Sequence, residues 1–233
     1  MPASSTLARW AAQSERLPGS NPTPSRLRLW LELVNTDAAA QSPGGDLLRD
    51  FEALVSWLHA RATLDDERSA GIRRRAVLQP AAAAATLVEA RRVRASLRLL
   101  AERGPSVERV REDAVVEINR VLGRSAGTRR VERHPDGGYE RAFVPTGDAF
   151  AGLMIPIVES AADSLTLGEL GRVRRCADPR CYRVFLDVTK NGLRRWCDMG
   201  TCGNRAKAAR HRAKERPAPN AGSDVAHHAP DAD

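Results

Sequence analysis

Arg174-Arg175-Cys176-Ala177-Asp178-Pro179-Arg180-Cys181 opens the stretch that decides the fold. Cys197-Asp198-Met199-Gly200-Thr201-Cys202-Gly203-Asn204-Arg205-Ala206-Lys207 closes it. All four cysteines of the chain lie here, spaced Cys176-x4-Cys181-x15-Cys197-x4-Cys202. Two close pairs separated by a mid-length insert suit four thiolates around one tetrahedral Zn²⁺. Each pair makes a knuckle, and the insert brings the knuckles together. Residues 182–186 read as a strand, 187–192 as a turn and 193–196 as a returning strand. So small a module cannot build a sound core alone, but a structural zinc contributes about 10–16 kcal/mol of apparent binding energy. The alternative is four free or redox-active thiols. A catalytic zinc is disfavoured, because such a site keeps an open position and usually includes His or a carboxylate. The nearest His beyond the set is His211, and no Glu lies between the cysteines.

Residues 203–214 read as a helix leaving the last knuckle. At 100° per residue Ala206, Ala209 and Ala213 form a narrow seam. Lys207, Arg210 and Lys214 flank it on one side, and Arg205, Arg212 and Arg216 on the other. Such a helix can approach a surface closely and set cations on both flanks, which suits phosphates on either side of a groove. Tyr182, Phe185 and Trp196 either stack on bases or form the small core beside the metal.

Charge separates this module from the rest. The chain of 233 residues holds 37 Lys and Arg against 29 Asp and Glu, a net charge of +8. Residues 172–216 alone hold 14 basic and 4 acidic side chains, a net of +10, leaving −2 for the remainder. All three lysines lie inside the segment. A basic patch confined to one module is an anion-binding surface, most often for nucleic acid.

Upstream the pattern is helical, in keeping with 42% hydrophobic and only 4% aromatic residues. Leu27, Trp30, Leu31 and Val34 form a stripe over 25–35, with Ser25 as its cap. After Pro43-Gly44-Gly45, Asp46 is expected to cap a helix lined by Leu47, Phe51, Leu54, Val55 and Leu58. Further helices are expected over 65–77, from Pro80 through 81–102, and over 106–122. Asp136-Gly137-Gly138 marks a hairpin over 131–144. A last helix is expected over 148–165, kinked or bounded at Pro156. The expectation is thus a mainly α protein: a helical N-terminal domain with one β-hairpin, then a small treble-clef-like zinc finger of hairpin plus basic helix. The divisions are a flexible lead-in at 1–24, the helical domain at 25–168, the finger at 169–216 and a disordered tail at 217–233. No apolar run of about 18 residues predicts a membrane span, and no apolar leader predicts secretion. The expected compartment is the cytoplasm.

The residues around the cysteines closely resemble the CGNR zinc-finger family of bacteria. The resemblance rests on Arg174-Arg175-Cys176, Phe185-Leu186-Asp187, Arg195-Trp196-Cys197-Asp198-Met199 and Cys202-Gly203-Asn204-Arg205-Ala206-Lys207. Leu31-Glu32-Leu33-Val34-Asn35-Thr36 resembles the opening motif of the ABATE domain that precedes this finger. The resemblance implies a stress-induced transcription regulator whose finger binds zinc and DNA and whose upstream domain senses a ligand. It implies Cys176, Cys181, Cys197 and Cys202 as ligands to one structural zinc, in agreement with the spacing. No ligand role passes to Glu32.

The leading expectation is a regulator whose finger binds duplex DNA, while the helical domain senses a small-molecule or stress signal or forms a homodimer. Arg194, Arg195, Arg205, Lys207, Arg210, Arg212 and Lys214 are the candidate phosphate contacts. Asn204 matches the motif and either satisfies backbone N–H groups or orients a ligand sulfur. Asn35 and Thr36 have no role legible in the sequence. The alternatives are a zinc-stapled RNA- or protein-interaction module and a thiol redox switch that loses zinc on oxidation. An enzyme is not expected. The helical part offers only His59 and His134, and its carboxylates Asp65-Asp66-Glu67 and Glu112-Asp113 read as helix-start or surface charge.

Overall fold

The computed structural model describes residues 28–37, 45–101, 107–124, 126–133, 139–147 and 150–215. The expected lead-in and tail, the Ser25 cap, the 43–44 break and the Asp136-Gly137-Gly138 turn lie outside the described residues. So do the side chains of Val107, Val110 and Lys214.

The order of elements is α1 (Leu29–Val34), α2 (Phe51–Ala60), α3 (Asp66–Leu78), α4 (Pro80–Leu99) and α5 (Val107–Arg124). Then come β1 (Gly127–Arg133), β2 (Tyr139–Pro145), α6 (Ile155–Thr166), β3 (Val173–Arg175), β4 (Val184–Leu186) and α7 (Asn204–Glu215). A 3-10 turn, Glu169–Arg172, leads into β3, and a π turn, Met199–Gly203, leads into α7. No described helix is long and apolar enough to cross a membrane.

The shortest helix of the body is its centre. Five of the six residues of α1 are buried, so it is apolar nearly all round, as a helix enclosed by others must be. It packs against α4, α6 and β4. Trp30 is fully buried, and its indole N–H donates to Ser164 Oγ at 2.9 Å, so the one polar atom of the largest core side chain is satisfied. Leu33, Leu54, Leu58, Val93, Leu97, Ile155 and Ile157 complete this core.

Several expectations change in detail. Asp50, not Asp46, caps α2, accepting from Ala53 N–H at 2.7 Å. Asp46 is taken instead by Arg94, which grips both its oxygens at 2.6 Å. Leu47 faces solvent and Leu48 is buried in its place. Pro156 lies in the first turn of α6, where its missing N–H costs nothing, so it starts the helix rather than kinking it. The hairpin begins at Gly127, four residues before the expected start, with Gly127 opposite Pro145.

The finger's strands differ most. Its hairpin is β3 with β4, antiparallel, Val173 opposite Leu186 and Arg175 opposite Val184. The expected returning strand at 193–196 does not form. Its backbone is used elsewhere: Arg194 N–H donates to Asp187 Oδ2 at 2.8 Å, and Arg195 C=O accepts from Ala177 N–H at 2.8 Å. The first cysteine pair therefore sits in the turn of the hairpin, and the second at the foot of α7. Val173 and Val184 are buried in the same core as the helical body, so finger and body share apolar packing.

Candidate metal centre and basic helix

The β3–β4 pair continues past its end through Cys176 N–H to Arg183 C=O, 2.9 Å, and Cys181 N–H to Asp178 C=O, 2.9 Å, closing the first knuckle. The second knuckle runs into the π turn. Asp198 caps it, accepting from Thr201 N–H at 2.7 Å and from the Thr201 hydroxyl at 2.8 Å. At Gly203 the Met199 side chain closes over the backbone: a Cβ there would stand 2.8 Å from Met199 Sδ and the thioether would have to shift.

The two knuckles bring together one ligand atom from each of Cys176, Cys181, Cys197 and Cys202, all within 4.8 Å of one another. Cys181 Sγ lies 3.7 Å from Cys197 Sγ, and Cys197 Sγ lies 3.8 Å from Cys202 Sγ. A tetrahedron with Zn–S of 2.3 Å has an edge of about 3.8 Å. The thiols are free, not bridged as disulfides. Burial, then the crowding thiols of Cys181 and Cys202, push Cys197 far above the usual thiol range. Four thiolates this close repel one another, and a divalent metal supplies the charge that holds them together. The donor set therefore fits one structural zinc. Among the described residues it is the only group of His, Cys, Asp or Glu so placed.

Around the sulfurs, Cys197 N–H donates to Cys176 Sγ at 3.5 Å, and Arg205 Nη2 donates to Cys202 Sγ at 2.9 Å. Arg205 Nε donates to Asp178 Oδ2 at 2.7 Å. The Arg205 guanidinium thus ties the first knuckle to the second across the metal position. Asp178 is buried, and the Arg180 backbone N–H and the Arg205 guanidinium hold its carboxyl below the usual range. Phe185 packs on Cys176 and Cys202, with Trp196 partly buried beside them. These two rings form the small core, while Tyr182 stays at the surface under Arg175.

The basic residues expected to meet phosphate divide into two sets. Arg194 lies over Phe185, 4.9 Å from its ring centroid, and donates to the carbonyls of Trp196 (2.9 Å) and Cys197. Arg194 and Arg205 are thereby engaged inside the finger. Lys207, Arg210 and Arg212 are exposed and make no ion pair among the described residues. Residues 207–213 of α7 are exposed without exception. Arg195 is exposed and lies over Trp196 at 5.1 Å. Asn204 Nδ2 donates to Gly200 C=O at 3.0 Å, so it steadies the π turn rather than a sulfur.

The acids of the module are what sequence reasoning passed over. Asp178, Asp187 and Asp198 each accept backbone N–H groups at a turn. Asp187 is fully buried; the Thr189 hydroxyl, then the N–H groups of Thr189 and Arg194, hold its carboxyl below the usual range. Their signal was available: isolated acids in a strongly basic segment are there for a local reason.

No curated protein matches the chain. The family model of the CGNR zinc finger matches residues 172–215, which contain the four-cysteine cluster and α7. A second model, ABATE, described as "putative stress-induced transcription regulator", matches residues 27–168. That span is more than half of the chain and begins just before the central helix α1; the chain belongs to the ABATE family and carries a CGNR zinc finger after that domain.

Proposed function

We propose that this protein is a zinc-dependent transcription regulator whose finger binds duplex DNA through α7. The observation that carries this reading is the state of the α7 cations. Lys207, Arg210 and Arg212 stand exposed and, among the described residues, unpaired, on a helix with no acid before Glu215. Many arginines elsewhere are consumed internally: Arg73 by Glu52, Arg94 by Asp46, Arg120 by Glu117 and Glu89. Unpartnered cations grouped on one helix are together available to an external anion.

Phosphate contact then falls to Arg195, Lys207, Arg210, Arg212 and Lys214. Arg194 and Arg205 hold the finger in shape. The boundary between a signal-receiving helical domain and the finger falls near residue 169, and a small-molecule or stress signal, or a homodimer contact, acts on the helical side. A regulator of this kind works in the bacterial cytoplasm.

Fluorescence anisotropy on duplex DNA across a salt series tests the reading. Five neutralised phosphates give a slope of log K against log salt of about −4.5. Changing Lys207, Arg210 and Arg212 together to Ala reduces the slope by about 2.7. Salt-independent binding, or equal binding by the triple variant, would sink the proposal. Competition with structured RNA at fixed salt decides between duplex DNA and RNA as the partner.

A further inference from the structure

Neither the metal centre nor the basic helix uses the stretch Leu31-Glu32-Leu33-Val34-Asn35-Thr36. Its Asn35 ends α1 and turns its carboxamide onto the finger. Asn35 Nδ2 donates to Val184 C=O at 2.8 Å, and Asn35 Oδ1 accepts from Val184 N–H at 2.9 Å. One side chain thus satisfies both backbone groups of a single strand residue 149 positions away in sequence. The β3–β4 sheet has only two strands, and Asn35 acts as the missing neighbour along the edge of β4. Only an amide offers a donor and an acceptor in that fork. Asp has no donor and would set a carboxylate against the Val184 carbonyl.

The turn that presents Asn35 is itself braced from α4. The Thr36 hydroxyl donates to Leu33 C=O at 2.6 Å and accepts from Arg94 Nη1 at 3.0 Å. Arg98, one turn further along, donates to Val34 C=O at 2.7 Å, pairs with Asp37, and reaches Tyr182 C=O at 3.3 Å. Asn35 and Arg98 therefore grip residues 182 and 184, the strand that leaves Cys181. Val173, at the head of the strand that leads into Cys176, is fixed in the common core.

We propose that Asn35 is a positioning residue that latches the finger to the helical body, so that zinc occupancy and the stability of α1 are thermodynamically coupled. Loss of zinc frees both knuckles at the end of the β3–β4 pair, and the latch carries that loss to α1. Coupling of this kind is reciprocal, so an event that loosens α1 weakens zinc retention. The proposal is independent of what α7 binds.

Hydrogen exchange by mass spectrometry on the full chain, zinc-loaded and chelator-stripped, tests it. In the wild type, stripping raises exchange at residues 29–37 as well as at 173–186, with protection at Val184 falling by about tenfold or more. In Asn35→Ala and Asn35→Asp, loaded with Co²⁺, the tetrahedral thiolate spectrum is retained. In these variants 29–37 already exchange faster, and stripping changes them by less than half the wild-type factor. An equal response of 29–37 to stripping in wild type and variants overturns the proposal. If neither variant folds, the wild-type experiment decides alone: unchanged exchange at 29–37 on stripping overturns it.

Discussion

The helical body and the last helix of the finger use arginine differently. In the body many guanidinium groups are internal struts. Arg94 locks Asp46, Arg98 locks Asp37, Arg91 donates to the carbonyls of Leu48 and Arg49, and Arg120 bridges Glu117 and Glu89. In the finger, Arg194 and Arg205 are struts too, but α7 holds Lys207, Arg210 and Arg212 in solvent. The two regions are also stabilised differently. The body closes a core of buried Leu, Ile, Val and Trp, whereas the finger's own core is Phe185 and Trp196 against four sulfurs. The contrast teaches that a high arginine count says little about binding. What matters is whether each guanidinium has a carboxylate or carbonyl within reach.

The sharpest way to break the contrast is to remove the metal. Cys197→Ser is expected to take bound zinc from one per chain to none, forfeiting about 10–16 kcal/mol of apparent binding energy and unfolding the finger. Zinc content and the Co²⁺ thiolate band measure this. Retention of full zinc by the variant would show that the four sulfurs do not act as one site. The matching test in the body is Trp30→Ala, which empties the centre of the core and is expected to cost about 3–5 kcal/mol in chemical denaturation. At saturating zinc the stoichiometry should persist in that variant, with the affinity lowered through the coupling to α1.

Arg205 sharpens the distinction between strut and contact. Arg205→Ala leaves Asp178 buried with its main cation removed and Cys202 Sγ short of a donor. A loss of about 10- to 100-fold in zinc affinity is expected, the usual size for a group that orients a metal ligand. Competition with a chromophoric chelator reads it. An unchanged zinc affinity with a reduced salt slope in DNA binding would instead make Arg205 a phosphate contact.

The smallest effect concerns pH in the body. The Arg94 guanidinium holds the Asp46 carboxyl below its usual range, and Arg120, with Arg92, does the same for Glu117. With folded values depressed, the unfolded chain takes protons first. The stabilisation is whole above the ordinary carboxylate range of about pH 4 and is lost as pH falls through the folded values. Urea midpoints between neutral pH and about pH 3 should therefore fall on the acid side. Asp46→Asn should flatten that fall; an identical acid limb in the variant would remove Asp46 from the account.

A fragment cut at residue 169 is not a clean test of the finger. Its Val173 and Val184 belong to the common core, and cutting the chain would expose them and leave Val184 without Asn35.

The sequence by itself determined the zinc ligands, because cysteine spacing is a local property and four thiols in two close pairs have few other uses. It determined the helices whose starts and spans are local too: Asp65 before α3, Pro80 at the start of α4, the run that becomes α5. Charge arithmetic located the basic module. What only the tertiary structure decided are the partners. Arg205 and Lys207 are two residues apart and read alike, yet Asp178, 27 positions upstream of Arg205, takes one and leaves the other. The strand that pairs with β4 came from before the first knuckle, not from 193–196, because Asp187 and Ala177 had already claimed the backbone there. Asn35 was an asparagine at a helix end until the fold set the edge of β4 against it. Each of these depends on groups far apart in sequence. Local pattern fixes what a residue can donate or accept; only the folded chain fixes which group stands opposite.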